Sequence, residues 1–230
     1  MKIIEREREI LRIIKKLVET KLGFIVVGGY AVSGLTKHRF SVDCDIIISK
    51  KELEKCEGIL EEEGFRKHVE KVGFDKIYGG KFASYIKKVN NLPVTVDLLI
   101  GSLVCRATNA SWSFSYIRKH SVLANILGIE TSVSCRIPEK ELLIAFKIHS
   151  ARRADIRDII MLKEEADLEK VIRYLKKGGM EALKRQINAI TKALGDKNLA
   201  DSLKGVFTLS VDVNKQIENT RKDLEEIRRK

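Results

Sequence analysis

Hydrophobic residues recur along this chain at two different spacings. Over residues 3–20 they fall on one stripe of a helix with charged residues opposite, which predicts an amphipathic helix packed on a sheet with its charged face in solvent. Residues 24–27 (FIVV) and 43–48 (DCDIII) are short β-branched runs, which favour buried strands. From residue 138 onward the helical spacing dominates. The pattern therefore predicts an α+β fold, in which a sheet flanked by helices is followed by a C-terminal helical domain.

The change in spacing near residue 136 predicts two domains, residues 1–136 and residues 137–230. With 230 residues and 44% apolar content, the chain is long enough for one large core or two smaller ones. In the second domain, glycines at 178, 179 and 195 are expected to separate the helices. The helices predicted there span residues 138–162, 167–177, 180–194 and 211–229.

Residues 72–100 predict a hairpin whose second arm carries Asp97 and whose first arm pairs with it near Tyr85. Residues 103–136 give a weaker pattern, in which WSFSYI and IETSVSCRI are interpreted as strands. Three aromatic residues alternate with serines there, which favours one buried strand face over a stacking surface for a base. These residues are Trp112, Phe114 and Tyr116.

Residues 24–48 organise the rest of the chain. Gly28 and Gly29 follow the first predicted strand, and glycine lets the backbone turn sharply and approach a ligand closely. A short helix is predicted at residues 30–35, and its first N–H groups would point back to the glycines. This arrangement predicts an anion site at the glycine turn.

Three aspartates are expected to meet beside this turn. Asp43 and Asp45 lie two residues apart on a strand, so their side chains share one face. Two carboxylates on one face repel each other unless cations lie between them. Asp97 interrupts a later apolar strand, and the three carboxylates converge if the two strands are neighbours. Oxygen ligands in that number, beside a phosphate-sized site, suit Mg²⁺ holding a nucleoside triphosphate.

This combination of motifs resembles the nucleotidyltransferases of the DNA-polymerase-β-like superfamily, and within it the abortive-infection type IV toxin-like (AbiEii-like) branch. That branch shows GG-x-A-[LV] followed by HR-x-S-x-D-x-D. The matching residues here are Gly28, Gly29, Ala31, Val32, His38, Arg39, Ser41, Asp43 and Asp45. The resemblance implies a nucleotidyltransferase fold, with a mixed sheet flanked by helices. It also implies Mg²⁺-dependent transfer of a nucleotidyl group from an NTP such as ATP.

The resemblance further implies a role for individual residues. Two Mg²⁺ ions, with Mn²⁺ as an alternative, would be bound by the catalytic carboxylates Asp43, Asp45 and Asp97. Asp97 would also accept the proton of the attacking group, and Arg39 would neutralise developing charge. Gly29 stands where the wider superfamily often has a serine, which removes one hydroxyl contact to phosphate. The implied nucleotide-binding residues are Gly28, Gly29, Ser33, Arg39, Ser41, Lys147 and Asp158.

Lys147 lies inside the apolar run LLIAFKI. A lysine in such a run usually packs its stem on the helix edge while its charge reaches water. The AbiEii-like branch instead has a functional lysine in an apolar helix, followed by an arginine and D-x-x-D, and Lys147, Arg153, Asp155 and Asp158 match this order.

On an unbroken helix, Lys147 and Asp158 would lie about 16 Å apart, too far for a direct bond. Lys147 is therefore expected to act catalytically by contacting the triphosphate or the acceptor. Arg153 or Arg157 is expected to pair with a carboxylate and so to fix the helical domain, which would close the nucleotide cleft.

The net charge of +12 is spread along the chain. Residues 1–136 carry 23 basic and 16 acidic side chains, and residues 137–230 carry 21 and 16. This excess permits an acidic partner such as tRNA and would speed encounter with it. A charged composition rich in lysine and glutamate is also typical of heat-adapted proteins, so the charge alone does not identify a partner.

The acceptor expected first is RNA, in particular the tRNA acceptor end, on which some toxin-like relatives act. The chain would then be the toxin of a toxin–antitoxin pair, with an antitoxin protein as a further partner. Two alternatives remain open. The first alternative is an enzyme that nucleotidylates a protein or a small molecule such as an antibiotic. The second is a pseudoenzyme that only binds nucleotide. The intact carboxylates Asp43, Asp45 and Asp97 disfavour the pseudoenzyme.

The four cysteines form no C-x-x-C pair and have no histidines nearby at metal-binding spacing. They are therefore interpreted as reduced thiols of a cytoplasmic protein. The sequence shows no signal peptide and no apolar run of membrane-spanning length, so membrane insertion is not expected.

Overall fold

The computed structural model describes residues 2–73, 75–207, 209 and 212–229. It divides into two compact units. The first comprises Met1–Leu103 and Ser111–Pro138, and the second comprises Val104–Ala110 and Glu139–Lys230. The chain therefore enters the second unit briefly at residues 104–110, returns to the first, and enters the second again after Pro138.

The first unit combines helices with a central sheet. Its elements, in chain order and with the strands that continue into residues 104–110, are α1 (Lys2–Glu19), β1 (Phe24–Val26), α2 (Gly28–Ser33), β2 (Asp43–Ile48), a 3-10 turn (Lys50–Glu52), α3 (Leu53–Glu62), β3 (Arg66–Val72), β4 (Lys81–Val89), β5 (Leu92–Ile100), β6 (Ser102–Cys105), β7 (Ala110–Ser113), α4 (Phe114–Lys119), β8 (Ser121–Leu127) and β9 (Ser132–Pro138).

The central sheet has the strand order β1-β2-β5-β4-β3. Strands β2 and β5 run parallel and the other neighbours run antiparallel, so the sheet is mixed, as predicted. Alternate residues of β5 are buried on one face, where α1 packs with its apolar stripe. The buried residues of this layer include Val94, Val96, Leu98 and Ile100 of β5 and Ile10, Ile14 and Leu17 of α1.

The predicted hairpin over residues 72–100 is confirmed for β4 and β5. The two strands pair antiparallel, with Ser84 opposite Asp97 and Tyr85 opposite Val96. This pairing places Asp97 in the middle of the sheet, where β5 also pairs with β2.

The predicted strand over WSFSYI is wrong in its second half. Strand β7 ends at Ser113, whose side-chain oxygen accepts a hydrogen bond from the Tyr116 backbone N–H at 3.2 Å. A serine that caps in this way starts a helix, which is α4. Trp112 is fully buried, which agrees with a buried face, whereas Phe114 and Tyr116 belong to the helix. The IETSVSCRI segment forms β9, as predicted, and pairs with β8.

The second unit is helical along its C-terminal part. Its helices are α5 (Lys140–Ser150), α6 (Arg153–Leu162), α7 (Leu168–Leu175), α8 (Met180–Ala193), α9 (Leu199–Phe207) and α10 (Asn214–Arg229). The expected continuous helix over residues 138–162 is wrong, because Ala151 adopts a left-handed φ of 50° and separates α5 from α6. Pro138 ends β9 and does not start the helix.

Two further differences concern the end of the chain. Helix α9 was not predicted from the sequence, and the last helix begins at Asn214. Val211, where that helix was expected to start, lies outside the described residues. Among the residues that the structure describes, no helix combines the length and the apolar character needed to cross a lipid bilayer.

Residues 104–110 are held in the second unit by Thr108 and His149. The Gly179 backbone N–H donates to the Thr108 carbonyl at 2.8 Å, and His149 Nδ1 lies 2.8 Å from Thr108 Oγ1. His149 is fully buried, and this burial lowers its pKa to about 4. Protonation of His149 therefore opposes folding of this unit.

Acid is expected to destabilise the second unit through His149. Because the folded pKa of about 4 lies below the ordinary 6.5, the stabilisation is complete above pH 6.5 and is lost as the pH falls towards 4. Between pH 7 and pH 5 the loss should be about 2 kcal/mol. Urea unfolding of the wild type and of His149→Gln measures it, since the variant should lose most of this pH dependence. An equally steep dependence in His149→Gln would contradict the assignment.

Candidate active site

The glycine turn lies at the start of a helix that begins two residues earlier than predicted. Gly28 and Gly29 are the first two residues of α2, directly after β1 and Val27. Gly28 has a φ of +66°, and a Cβ atom there would lie 2.0 Å from Asp45 Oδ2. Only glycine meets both conditions. The backbone at Gly28 is therefore in direct contact with one of the predicted metal-binding carboxylates.

Gly29 is packed just as closely, on a different partner. A Cβ atom at this position would lie 2.2 Å from Arg39 Nη1 and 2.6 Å from Ser41 Oγ. The loop between α2 and β2 thus folds back over the glycines, and the Ser41 hydroxyl donates to the Asp43 carbonyl at 3.2 Å. Gly28, Gly29, Arg39, Ser41 and Asp45, which the sequence placed in one site, are neighbours in the structure.

Gly28→Ala is expected to destabilise the first unit by about 1–2 kcal/mol, because alanine is strained in the left-handed region. It should also displace the Asp45 carboxylate and so lower activity. Urea unfolding together with a transfer assay measures both effects. Gly58→Ala in α3 is the matched control, since a Cβ atom there meets nothing within 4 Å and alanine favours a helix. Equal results for the two variants would show that the contact with Asp45 is unimportant.

Ser33 holds the backbone of the loop at Arg39. Its hydroxyl donates to the Arg39 carbonyl at 3.1 Å and accepts from the Arg39 N–H at 3.2 Å, and the side chain is buried. Tyr30 supports the same loop by donating its hydroxyl to the Ser41 carbonyl at 3.2 Å. The phosphate contact predicted for Ser33 stays a prediction, whereas its part in positioning Arg39 is visible.

The three aspartates lie on one face of the central sheet. The parallel pairing of β2 with β5 sets Asp45 opposite Asp97 and Asp43 opposite Thr95. Asp43 is exposed, and Asp45 and Asp97 are half-buried. Cys44 lies on the opposite face and is fully buried. The structure therefore has both features expected from the sequence: the side chains of β2 alternate between the two faces, and β2 and β5 are neighbours.

The surroundings of the Asp97 carboxyl group shift its pKa upward. Burial raises the pKa of Asp97, the Ser84 hydroxyl opposes the rise, and the nearby charge of Asp43 adds to it. Ser84 donates to Asp97 Oδ1 at 2.6 Å and is itself buried. Asp97 therefore faces Asp43 closely enough for the two charges to interact, and Ser84 fixes its orientation.

The donor chemistry of this face fits Mg²⁺, which prefers carboxylate oxygens. The pKa of Asp97 is raised first by burial and further by the charge of Asp43, and a bound cation would offset both effects. Within the described residues, however, no three histidine, cysteine, aspartate or glutamate side chains are arranged so that they hold a single metal ion. The fit of the three aspartates to Mg²⁺ therefore rests on their shared face and on their donor chemistry.

Glu7 is a residue of this region that the sequence did not reveal. The charged residues of α1 were interpreted as a solvated face, but Glu7 is only 3% exposed. Its Oε1 lies 2.6 Å from His38 Nε2, and its Oε2 accepts from the Ile129 N–H at 2.7 Å. Glu7 therefore joins the loop that carries the HR-x-S motif to the turn between β8 and β9.

Lys147 and Asp158 lie in the second unit and contact each other directly. Lys147 Nζ is 2.8 Å from Asp158 Oδ2 and 2.9 Å from Asp155 Oδ1, and all three side chains are buried. The expected separation of 16 Å is wrong, because the helix is broken at Ala151 and α6 folds back on α5. The roles predicted for Lys147 and Asp158 in nucleotide binding stay predictions.

Three arginines next to this cluster contact groups of the second unit. Arg152 donates through Nε to Asp155 Oδ2 at 2.8 Å, whereas the exposed Arg153 pairs with Asp196 at 3.7 Å within the same unit. Arg157 donates to the Ser202 hydroxyl at 2.7 Å. The carboxylate that holds an arginine most closely here is therefore Asp155, and its partner is Arg152.

Comparison with known proteins gives matches in structure. No protein-family model and no curated protein sequence matches this chain. The crystal structure of JHP933 from Helicobacter pylori is 16% identical, with 100% of this chain and 93% of that one covered and a TM-score of 0.53. A candidate nucleotidyltransferase from H. pylori is 17% identical, with 100% and 96% covered and a TM-score of 0.51.

The fold is that of a nucleotidyltransferase. The mixed sheet flanked by helices, expected from the sequence, is thus confirmed by the likeness to these structures. Lincomycin-bound LnuA, a lincosamide antibiotic adenylyltransferase, is 21% identical, with 70% of this chain and 98% of that one covered and a TM-score of 0.47. In the nucleotidyltransferase fold of this chain, the glycine turn and the three aspartates come from β1, α2, β2 and β5.

Proposed function

We propose that this chain is a nucleotidyltransferase, which moves an NMP group from an NTP to an acceptor and releases pyrophosphate. The observation that carries the proposal is the placement of Asp45 opposite Asp97, with Gly28 packed against the Asp45 carboxylate. The fold alone would not carry it, because one fold serves many activities. The chemistry of these carboxylates beside a close-packed glycine turn supports it independently.

In the proposed reaction, an acceptor hydroxyl attacks the α-phosphorus of the NTP while the bond to pyrophosphate breaks. Asp97 accepts the proton of the hydroxyl, for which its raised pKa suits it better than an exposed carboxylate. Ser84 keeps the Asp97 carboxylate in place through its hydrogen bond of 2.6 Å. Asp97 is therefore both a metal ligand and the general base of the proposal.

Two Mg²⁺ ions would be divided among the carboxylates of Asp43, Asp45 and Asp97, and when bound they supply neutralisation of the negative charge on the phosphates. The residues around the glycine turn are proposed to bind the NTP. Gly28 and Gly29 leave room for phosphate oxygens to approach the backbone. Arg39 is held above Gly29 and supplies positive charge to the triphosphate.

The proposed acceptor is RNA, in particular the tRNA acceptor end. The net charge of +12 supports a polyanionic acceptor. A toxin role, with an antitoxin protein as partner, is part of the same proposal and rests on the AbiEii-like motifs of residues 28–45. The proposed nucleotide contacts of Lys147 and Asp158 also rest on that resemblance.

The test is an assay with each of the four labelled NTPs, Mg²⁺ and total tRNA. Label is expected on RNA, at a rate that falls steeply with salt, and Asp43→Asn should abolish it. Label on a protein or on an added antibiotic instead would assign the acceptor to another class. Absence of label on every acceptor, with NTP still bound, would identify a pseudoenzyme and overturn the proposal.

The toxin role has a separate test. Expression of the wild type from a tightly controlled promoter should arrest growth, and expression of Asp43→Asn at the same level should not. Equal growth of the two strains would remove the toxin role and leave the transferase activity to be judged by the labelling assay.

A further inference from the structure

A cavity of about 260 Å³ opens on the first unit, away from the glycine turn. It combines apolar walls with positively charged side chains. Its lining includes five apolar side chains, Val18, Leu22, Phe24, Phe114 and Leu123, and three cationic ones, Lys21, Arg118 and Arg136. Gly23, Ser134 and Cys135 complete it. All of these residues belong to the first unit.

The cavity is distinct from the candidate active site. Phe24, in its wall, pairs with Ile48 at the far end of β2 from Asp43. Ile48 lies three residues beyond Asp45, which is about 10 Å along a strand. Neither the glycines of α2 nor the three aspartates line the cavity. A ligand in it would therefore not reach the carboxylates.

The charged side chains that line the cavity are all positive, and the carboxylate of Glu52 lies beside its wall at Gly23. Within the described part of the chain, no carboxylate lines the cavity, and Lys21, Arg118 and Arg136 take part in no salt bridge. The acidic group nearest to the wall at Gly23 is Glu52, whose Oε1 would lie 3.4 Å from a Cβ atom there. Arg118 Nη1 would lie 3.6 Å from the same atom, so this guanidinium is held over the wall at Gly23.

Arg136 is oriented by the neighbouring strand. Its Nη1 donates to the backbone carbonyl and to the hydroxyl of Ser121, both at 3.3 Å. A guanidinium carries five N–H donors in a planar fork, so most of its donors remain for a ligand. Arg118 and Arg136 thus offer two planar cations at the edge of one cavity.

The apolar wall extends to the mouth of the cavity. Leu22 and Phe24 are buried, whereas Leu123 is 71% exposed and Val18 is 38% exposed. Exposed aliphatic side chains at the mouth of a cavity gain contacts when an apolar ligand enters it. The cavity therefore presents an apolar surface and a pair of cationic groups to one and the same ligand.

We propose that this cavity is a binding site for a small organic anion, with an aromatic or branched apolar body and one carboxylate, phosphate or sulfonate group. The apolar body contacts Leu22, Phe24 and Leu123, and the anionic group pairs with Arg118 and Arg136. The volume suits a body of one or two rings. The inference does not depend on the proposed nucleotidyl transfer, because it uses none of the residues proposed to react.

The experiment uses two probes of the same shape, 1-naphthalenesulfonate and the uncharged 1-naphthol. Each is titrated into protein with labelled leucine and valine methyl groups and followed by NMR. The sulfonate is expected to shift the methyl signals of Val18, Leu22 and Leu123 and to bind at least tenfold more tightly than the naphthol. The signal of Leu183, in a groove of the second unit that is also apolar and basic, serves as the internal control.

Two variants separate charge from shape. Arg118→Gln combined with Arg136→Gln should remove the tenfold preference for the sulfonate and leave binding of the naphthol unchanged. Ser134→Trp, at an exposed position of β9, should fill the cavity and abolish binding of both probes. The methyl spectrum without probe verifies that each variant is folded.

Three results would overturn the proposal. The first is equal affinity of the wild type for the two probes. The second is retention of the tenfold preference when both arginines are replaced. The third is a sulfonate titration that shifts Leu183 but not Leu22 or Leu123, which would place binding at the second unit.

Discussion

Asp97→Asn is expected to reduce nucleotidyl transfer about a thousandfold, because a general base of this kind contributes rate factors of that order. The same change should make the protein without metal more stable at neutral pH. The pKa of Asp97 is raised by burial and by Asp43, although Ser84 opposes the rise. A group with a raised folded pKa stabilises the protein below its unfolded pKa and loses this contribution as the pH rises through the folded value. Asparagine removes the charge and still accepts the hydrogen bond of Ser84.

The measurements are the transfer rate and the thermal midpoint in EDTA at pH 7. Asp75→Asn is the matched control, since burial opposes ionisation of Asp75 but Ser102, Ser111 and two backbone N–H groups lower its pKa. Ionisation of Asp75 therefore has the opposite effect on stability from ionisation of Asp97, because a carboxylate with a lowered pKa stabilises the protein above its unfolded pKa. Asp75→Asn should lower the thermal midpoint, whereas Asp97→Asn should raise it.

Two outcomes would count against this interpretation of Asp97. Transfer at the wild-type rate in Asp97→Asn would exclude Asp97 as the base and as an essential metal ligand. A thermal midpoint that falls in both variants would mean that the neighbours of Asp97 stabilise its ionised carboxylate, whereas the raised pKa requires that the folded protein disfavours this charged form. A residue whose charge destabilises the protein and serves the reaction is the common pattern at functional sites.

The parts of the fold that could be predicted are those whose sequence signals, such as turn residues and alternating apolar residues, lie close together in the chain. Strands β4 and β5 form a hairpin around Asn90 and Asn91, which have φ values of 48° and 64°. Asparagine is favoured in such left-handed turns, so the pairing of Ser84 with Asp97 could be anticipated from the turn and the alternation. Placement of β5 beside β2 needed the additional expectation that their aspartates meet.

The parts that were missed depend on contacts between distant residues. Alanine is the best helix former, so nothing local at Ala151 predicts a left-handed break between α5 and α6. Glu7 looked solvated within a run of alternating charges, and it is buried because His38 and Ile129 reach it from other segments. Ser113 is a different case, because a serine that can cap a helix was a local signal for α4.

Lys147→Met is expected to destabilise the second unit by about 3–5 kcal/mol, because it removes a buried cation that pairs with two buried carboxylates, of which Asp155 keeps only Arg152. Lys147 lies within 3 Å of both Asp155 and Asp158, as its distances of 2.9 Å and 2.8 Å show. Lys184→Met is the matched control, since Lys184 pairs with Glu181 on the surface and should contribute less than about 1 kcal/mol. Urea unfolding at pH 8 measures both variants.

The pH dependence of Lys147→Met separates this structural role from a contact with nucleotide. Burial alone would raise the pKa of Asp155, and Lys147 together with Arg152 lowers it to about 2. Without Lys147, only Arg152 opposes the effect of burial on the pKa of Asp155, so this pKa should rise. Acid should then neutralise the Asp155 carboxyl group in the folded state. The stability difference from the wild type should therefore narrow between pH 8 and pH 5. If Lys147 instead acts only on the triphosphate, Lys147→Met will unfold like Lys184→Met at every pH and lose only nucleotide affinity.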